Sequence, residues 1–245
     1  GRGTAVLYQF YLLFSGNHRI RLYFDSLKVK FGVMWQILKI SGGGILQNFI
    51  ATSSWIFLIR IIAVSGPEAL AGYTIAIRII IFLLLPAWGL SNAAATLVGQ
   101  NLGAKKPDRA EKAVWVTGFV NMVFMGLMGL ILFIFPEFWV RLFISDAKVV
   151  ENGILALRII SSGFLFYALG MVMMQGFNGS GDTATPSKIN LVSFWLFEIP
   201  LAWLLAIVLN MGLTGASIAI VCAESFLALI ALYLFRKGKW KLREV

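Results

Sequence analysis

Cysteine and histidine are almost missing from this chain: Cys222 is single and so is His18. A lone cysteine excludes an intrachain disulfide and leaves the redox compartment unread. A lone histidine excludes a histidine-pair metal site, and no HExxH, CxxC or Ser/His/Asp set is present. The glycine run Gly42-Gly43-Gly44 has no strand before it and no Lys-Ser/Thr after it, so it suits close helix packing better than phosphate binding. Enzyme chemistry has no visible carrier, and no cofactor is expected. Charge is scarce as well. Asp, Glu, Lys and Arg make up 13% of the residues, against roughly 25% in ordinary soluble domains. Acid is scarcest, with 11 Asp and Glu against 21 Lys and Arg.

What fills the chain is apolar surface, 59% of residues. It is gathered into six long stretches, at 37–64, 69–102, 113–135, 153–177, 189–209 and 213–235. Each reaches the roughly 20 residues that a helix needs to cross a bilayer core. A soluble fold could not hide them. The expected fold is an all-α membrane protein built as a six-transmembrane-helix bundle.

The basic residues orient the bundle. Between spans they fall as Arg19, Arg21, Lys28 and Lys30, then none in 65–68, then Lys105, Lys106, Arg109 and Lys112. Arg141 and Lys148 follow, then Lys188, none in 210–212, and finally Arg236, Lys237, Lys239, Lys241 and Arg243. Nearly all lie on alternate loops. The positive-inside rule places that side, with the C-terminus, in the cytoplasm. The net charge of +10 is then a skirt facing anionic headgroups, and no nucleic-acid partner is expected.

Residues 1–14 are apolar and aromatic but too short to span, with no signal-peptide exit. They read as the cut end of a preceding transmembrane helix, which makes the chain a fragment. Residues 15–33 read as a cytoplasmic linker, either solvated or an interfacial helix (Ile20, Leu22, Phe24 beside Arg19, Arg21). Residues 34–235 are the six-helix lobe, and 236–245 a basic cytoplasmic tail.

Prolines and glycines mark the places where helices should bend or touch. Pro86 falls inside the second span and removes a backbone donor, so a kink or break is expected there, as a bundle fit or a hinge. Gly99 and Gly103 lie four apart on one face, where another helix can approach closely. Three glycines, Asp182, Thr183 and Pro186 make the stretch 175–186 a tight turn between helices.

Ionisable groups at bilayer depth are functional candidates. Counted at about 1.5 Å per residue from the outer span ends, Arg78 lies ~13 Å, Glu198 ~18 Å and Glu224 ~16 Å deep. All three fall near the midplane of a ~30 Å core. One cation and two carboxylates at one level would leave one carboxylate over, free to take up and release a proton. Pro200 frees the carbonyl of Leu196 one turn from Glu198, and a sodium ion at Glu198 or Glu224 would want several such oxygens. The alternatives are a static salt bridge between helices and a carboxylate facing a wet cleft. Arg60 and Arg158 are near outer span ends and are expected to snorkel to headgroups. Trp55, Phe82, Trp88, Met173, Met174, Phe194 and Trp195 either stack on flat cations or simply pack.

Two stretches carry a family resemblance. The run 86–110, PAWGLSNAAATLVGQNLGAKKPDRA, resembles the repeated signature of the multidrug and toxic compound extrusion (MATE) family. The run 175–186, QGFNGSGDTATP, with Ile199-Pro200-Leu201-Ala202 and the closing 235–240, FRKGKW, resembles its later signatures. The resemblance implies one lobe of a twelve-helix, two-lobe transporter, in a bacterial inner membrane, whose partner is a missing N-terminal lobe of the same protein. It implies a secondary active antiporter that exports cationic or amphipathic compounds, driven by inward proton or sodium flow through alternating access. It also places the first two spans on the central cleft, so Gln47 and Asn48 are candidates to touch substrate, with interhelical hydrogen bonding as the equal alternative. Trp88 and, on the fourth span, Met174 are further cleft candidates. The rival functions are a lipid-linked oligosaccharide or lipid flippase of the same superfamily and a non-transporting membrane scaffold.

Overall fold

The computed structural model describes residues 2–15 and 30–242. Most of the expected linker, with His18, Arg19, Arg21 and Lys28, lies outside the described residues, as do the last three. Two compact units, Gly1–Ser41 and Gly42–Val245, divide the chain. The first holds α1 (Arg2–Phe14) and the opening turns of α2 (Phe31–Ala63).

The second unit is all-helical among the described residues. After α2 come α3 (Pro67–Gly103), α4 (Pro107–Ile134), a short α5 (Pro136–Arg141), α6 (Ala147–Ser162), α7 (Phe164–Gly179), α8 (Ala184–Val208) and α9 (Gly212–Arg236). Proline at the first helical turn opens α3, α4 and α5, where its missing N–H costs nothing. Asp146 caps α6 by accepting from the Val149 N–H at 3.0 Å. Among the described residues five helices are long and apolar enough to cross a membrane, and α6 with α7, bent by 56°, makes six where that pair counts as one span. The chain is an integral membrane bundle of the expected kind.

One sharp bend lies away from any proline. α3 runs as one helix of 37 residues through Pro86, so of the expected kink or break, the break is absent. The sharp bend falls at Gly163, where a Cβ would lie 3.0 Å from Val221 of α9. The close approach of α9, not a missing donor, fixes that corner. α8 is irregular too. Two π-helical segments, Leu191–Glu198 and Leu204–Val208, flank a short α-turn that contains Pro200. Wider turns of this type commonly occur at functional positions.

Small residues set the contacts. Gly99 meets α7 at the Gly179 carbonyl, 3.3 Å from where its Cβ would stand. Gly103 has nothing within 4 Å, so its expected packing role is not seen, because it sits exposed in the last turn of α3. Gly43, alone of its run, has a neighbour there: a Cβ would lie 2.7 Å from the Thr183 Cβ. The C-terminal segment is no free tail over its described part. Gly238, at φ +69°, turns it back, and Trp240 is buried to 1% exposure.

Candidate functional site

One face of α3 builds a wall. Tyr73, Ile77, Ile80, Ile81, Leu84 and Trp88 recur at helical spacing and line a cavity of about 320 Å³. α2 adds Ser54 and Trp55, α7 adds Tyr167, α8 adds Phe194 and Glu198, and α9 adds Glu224. A second cavity of about 240 Å³ meets the first at Ala51, Trp88, Tyr167, Phe194 and Glu224. Its own lining is amide-rich: Gln47, Asn48, Gln175, Asn178 and Asn190, with Ser91 and Met174.

The structure thus brings eight of the sequence candidates around two adjoining spaces, Trp55 on the first and Phe194 on both. Glu198 faces the first cavity, Glu224 and Trp88 face both, and Gln47, Asn48 and Met174 face the second. Glu198 is buried to 7% exposure. The two carboxylates lie within electrostatic range of each other, and Tyr167 is within range of both. Tyr73, itself buried, shares the first cavity's wall with Trp55 and Glu198.

Arg78 is elsewhere. It is exposed, lines neither cavity and forms no ion pair among the described residues. The expected pairing with the carboxylates fails for a geometric reason. At about 100° per residue Arg78 stands well off the stripe of Ile77 and Ile81. Shared depth did not mean a shared face. Among the described residues no lysine, arginine or histidine lines either cavity.

An amide chain links α3 to α7. Gln175 Nε2 donates to Asn92 Oδ1 at 3.2 Å, and Asn178 Nδ2 donates to Gln175 Oε1 at 3.2 Å. The Asn178 Oδ1 is buried without a partner. These amides and both tyrosines escaped the sequence reading, although Tyr167, Met171, Met174, Gln175 and Asn178 recur at helical spacing and could have been read as one stripe.

A second set of hydrogen bonds fastens α8 to α2. Ser187 Oγ donates to the Gly43 carbonyl at 2.8 Å, Asn190 Nδ2 to the Gln47 carbonyl at 3.4 Å and Trp195 Nε1 to the Ile50 carbonyl at 3.2 Å. Of the other aromatic and sulfur candidates, Met173 is fully buried in the core and Phe82 is 71% exposed. Arg158 donates to the Phe133 carbonyl at 3.3 Å, at the C-terminal end of α4, where a cation is favourable.

Comparisons with known proteins bear on the family and the fold. The family model described as MatE matches residues 44–204. The chain is 30% identical over 210 residues to the probable multidrug resistance protein NorM of Thermotoga maritima, covering 86% of this chain and 45% of that one. With a NorM protein of Caulobacter vibrioides it shares 28% over 207 residues, covering 84% and 44%. The chain spans about half the length of the curated relatives it matches. Among solved structures, an outward-facing multidrug resistance MATE family transporter of the MOP superfamily superposes with a TM-score of 0.87 at 19% identity, covering 96% of this chain and 53% of that one. A MOP superfamily transporter from Pyrococcus furiosus, whose binding pocket has reversed polarity, superposes at 0.86 and 18%, covering 96% and 53%.

Proposed function

Because this chain belongs to the MATE family, we propose that it forms one lobe of a secondary active antiporter that exports cationic or amphipathic compounds. Glu198 and Glu224 carry the coupling ion, a proton or sodium. Gln47, Asn48, Trp88 and Met174, with Tyr73 and Tyr167, hold the substrate. The transporter works in a bacterial inner membrane with the C-terminus in the cytoplasm, and its other lobe completes the cleft.

The observation that carries this reading is that, among the described residues, no basic side chain lines a space holding two carboxylates. An uncompensated charge in apolar surroundings is costly, so the space calls for a mobile positive charge. A coupling ion and a cationic cargo can each supply it, and competition for the same carboxylates is how one drives out the other. Trp55, Trp88 and Phe194 offer flat faces for a cation. Tyr73, Tyr167 and the amides offer oxygens that a hard cation such as sodium prefers. Alternating access then moves the space from one membrane face to the other.

A flippase for lipid-linked sugars needs to hold a phosphate, and neither cavity has a cation for it. A scaffold has no use for buried carboxylates. The test is export of a fluorescent cationic dye by the transporter carrying this chain. Glu198→Gln and Glu224→Gln should each weaken export and flatten its response to pH or sodium. Normal pumping by both variants, with both responses intact, overturns the proposal.

A further inference from the structure

We infer that the groove between the outer halves of α2 and α8 is a phospholipid site, which takes an acyl chain along its floor and the phosphate on Arg60. The argument starts from the hydrogen bonds that tie these two helices. Their partners are separated by 143–145 residues, in steady register from Gly43 to Ile50. The aromatic pair Phe57–Trp195, edge to face at 5.3 Å, closes the fastened part. Beyond it the helices part.

The open part is a groove of about 380 Å³ between Phe57, Arg60 and Val64 on one side and Pro200, Trp203 and Ile207 on the other. The same register that joins Gln47 to Asn190 sets Phe57 against Pro200 and Val64 against Ile207, so the groove is the unfastened end of one seam. Its cause is visible on the far side of α8. At Gly215 of α9 a Cβ would lie 2.6 Å from the Leu205 carbonyl carbon, and Ala202 and Ala206 are buried. The outer half of α8 is drawn against α9, and α2 does not follow.

The lining fixes the chemistry of the occupant. Apart from Arg60, every residue on it is apolar, which suits hydrocarbon and excludes water or a polar cargo. Arg60 sits in the last turn of α2, at headgroup level by the rise of the helix. It makes no ion pair among the described residues. A guanidinium above an apolar slot complements a phosphodiester above an acyl chain. The membrane supplies that molecule at high local concentration on either leaflet.

The test uses the full chain, delipidated in a non-ionic detergent and titrated with phosphatidylglycerol, with bound lipid counted by native mass spectrometry. One phospholipid should bind per chain ahead of the bulk. Arg60→Gln should weaken that binding several-fold yet leave binding of diacylglycerol, which has no phosphate, unchanged. Ile207→Trp, which fills the slot and keeps the cation, should weaken both. Circular dichroism checks that each variant keeps its helix content. A photoreactive phospholipid added to the unaltered chain should label 57–64 or 199–207, and this measurement needs no variant to fold. Equal retention by all three proteins, or labelling confined to other segments, overturns the inference.

Discussion

Gly179 lies directly against the backbone of Ala95, so that a Cβ at 179 would come within 2.7 Å of the Ala95 Cα. No side-chain rotation relieves a clash with backbone. Gly179→Ala should therefore force α3 and α7 apart and lower stability by ~1–3 kcal/mol, as overpacking does. Gly103→Ala meets nothing within 4 Å and should change stability by no more than ~0.5 kcal/mol. Thermal unfolding in detergent, run on both variants side by side, distinguishes them. Equal midpoints would remove Gly179 from the contact.

The end of the chain provides a second test. Trp240 stacks on Phe235 with ring centroids 4.6 Å apart and donates its indole N–H to the Phe235 carbonyl at 3.0 Å. Lys241 bonds Glu111 at 2.5 Å and Asp108 at 3.3 Å at the start of α4. Trp240→Ala should cost ~3–5 kcal/mol, the usual penalty for removing a buried Trp, whereas Lys241→Ala removes surface ion pairs, half-buried towards Glu111 and exposed towards Asp108, worth ~1 kcal/mol or less. Hydrogen exchange across 239–242 reads both.

The pH dependence of the same contact has a definite sign. The Glu111 carboxylate beside Lys241 holds its ammonium above the ordinary lysine value of 10.5. A raised lysine stabilises the folded form fully below that ordinary value and loses its contribution as pH climbs through the raised one. Exchange protection of 239–242 should stay level from neutral pH to about 10 and fall only above it. Loss of protection already between pH 7 and 9 would mean that another group holds the segment.

The spans and the alternating basic loops were legible because each rests on composition along one dimension. Their packing was not. Pro86 suggests a kink or a break, yet α3 continues through it unbroken, and the 56° bend between α6 and α7 lies at Gly163, against Val221 of a helix almost sixty residues on. Glu198 and Glu224 were legible as charges in apolar runs. Tyr73, Tyr167 and Asn178 were passed over because a polar residue that suits both water and a cavity looks ordinary in a string of letters. The packing of Trp240 was hidden by its basic neighbours, which mark 236–245 only as a basic cytoplasmic tail.

The seam between α2 and α8 can be weakened without touching its apolar contacts. Trp195→Phe keeps a ring opposite Phe57 and removes the indole N–H that reaches the Ile50 carbonyl at 3.2 Å. Interhelical hydrogen bonds in membrane proteins average ~0.6 kcal/mol, so the variant should lose about that much by thermal unfolding. A loss of several kcal/mol would show that ring packing, not the hydrogen bond, holds the seam.

Arg78 and Glu224 make opposite predictions from similar depths. Had they paired, Arg78→Gln would strand a carboxylate and disturb export as severely as Glu224→Gln. With Arg78 on the exposed side of α3 and Glu224 on the cavity wall, the two substitutions separate. Glu224→Gln in the transporter carrying this chain should cut dye export ~10-fold or more, ~1.4 kcal/mol in the limiting step. Arg78→Gln should leave the rate and its pH and sodium profiles as they are. Initial rates measured across a pH series with and without sodium decide the matter, because a structural defect lowers every rate alike, whereas loss of an ion-carrying group changes the shape of the profile. If Arg78→Gln also reshapes that profile, the cation reaches the carboxylates in another state of the cycle, and the uncompensated cavity is a property of this state alone.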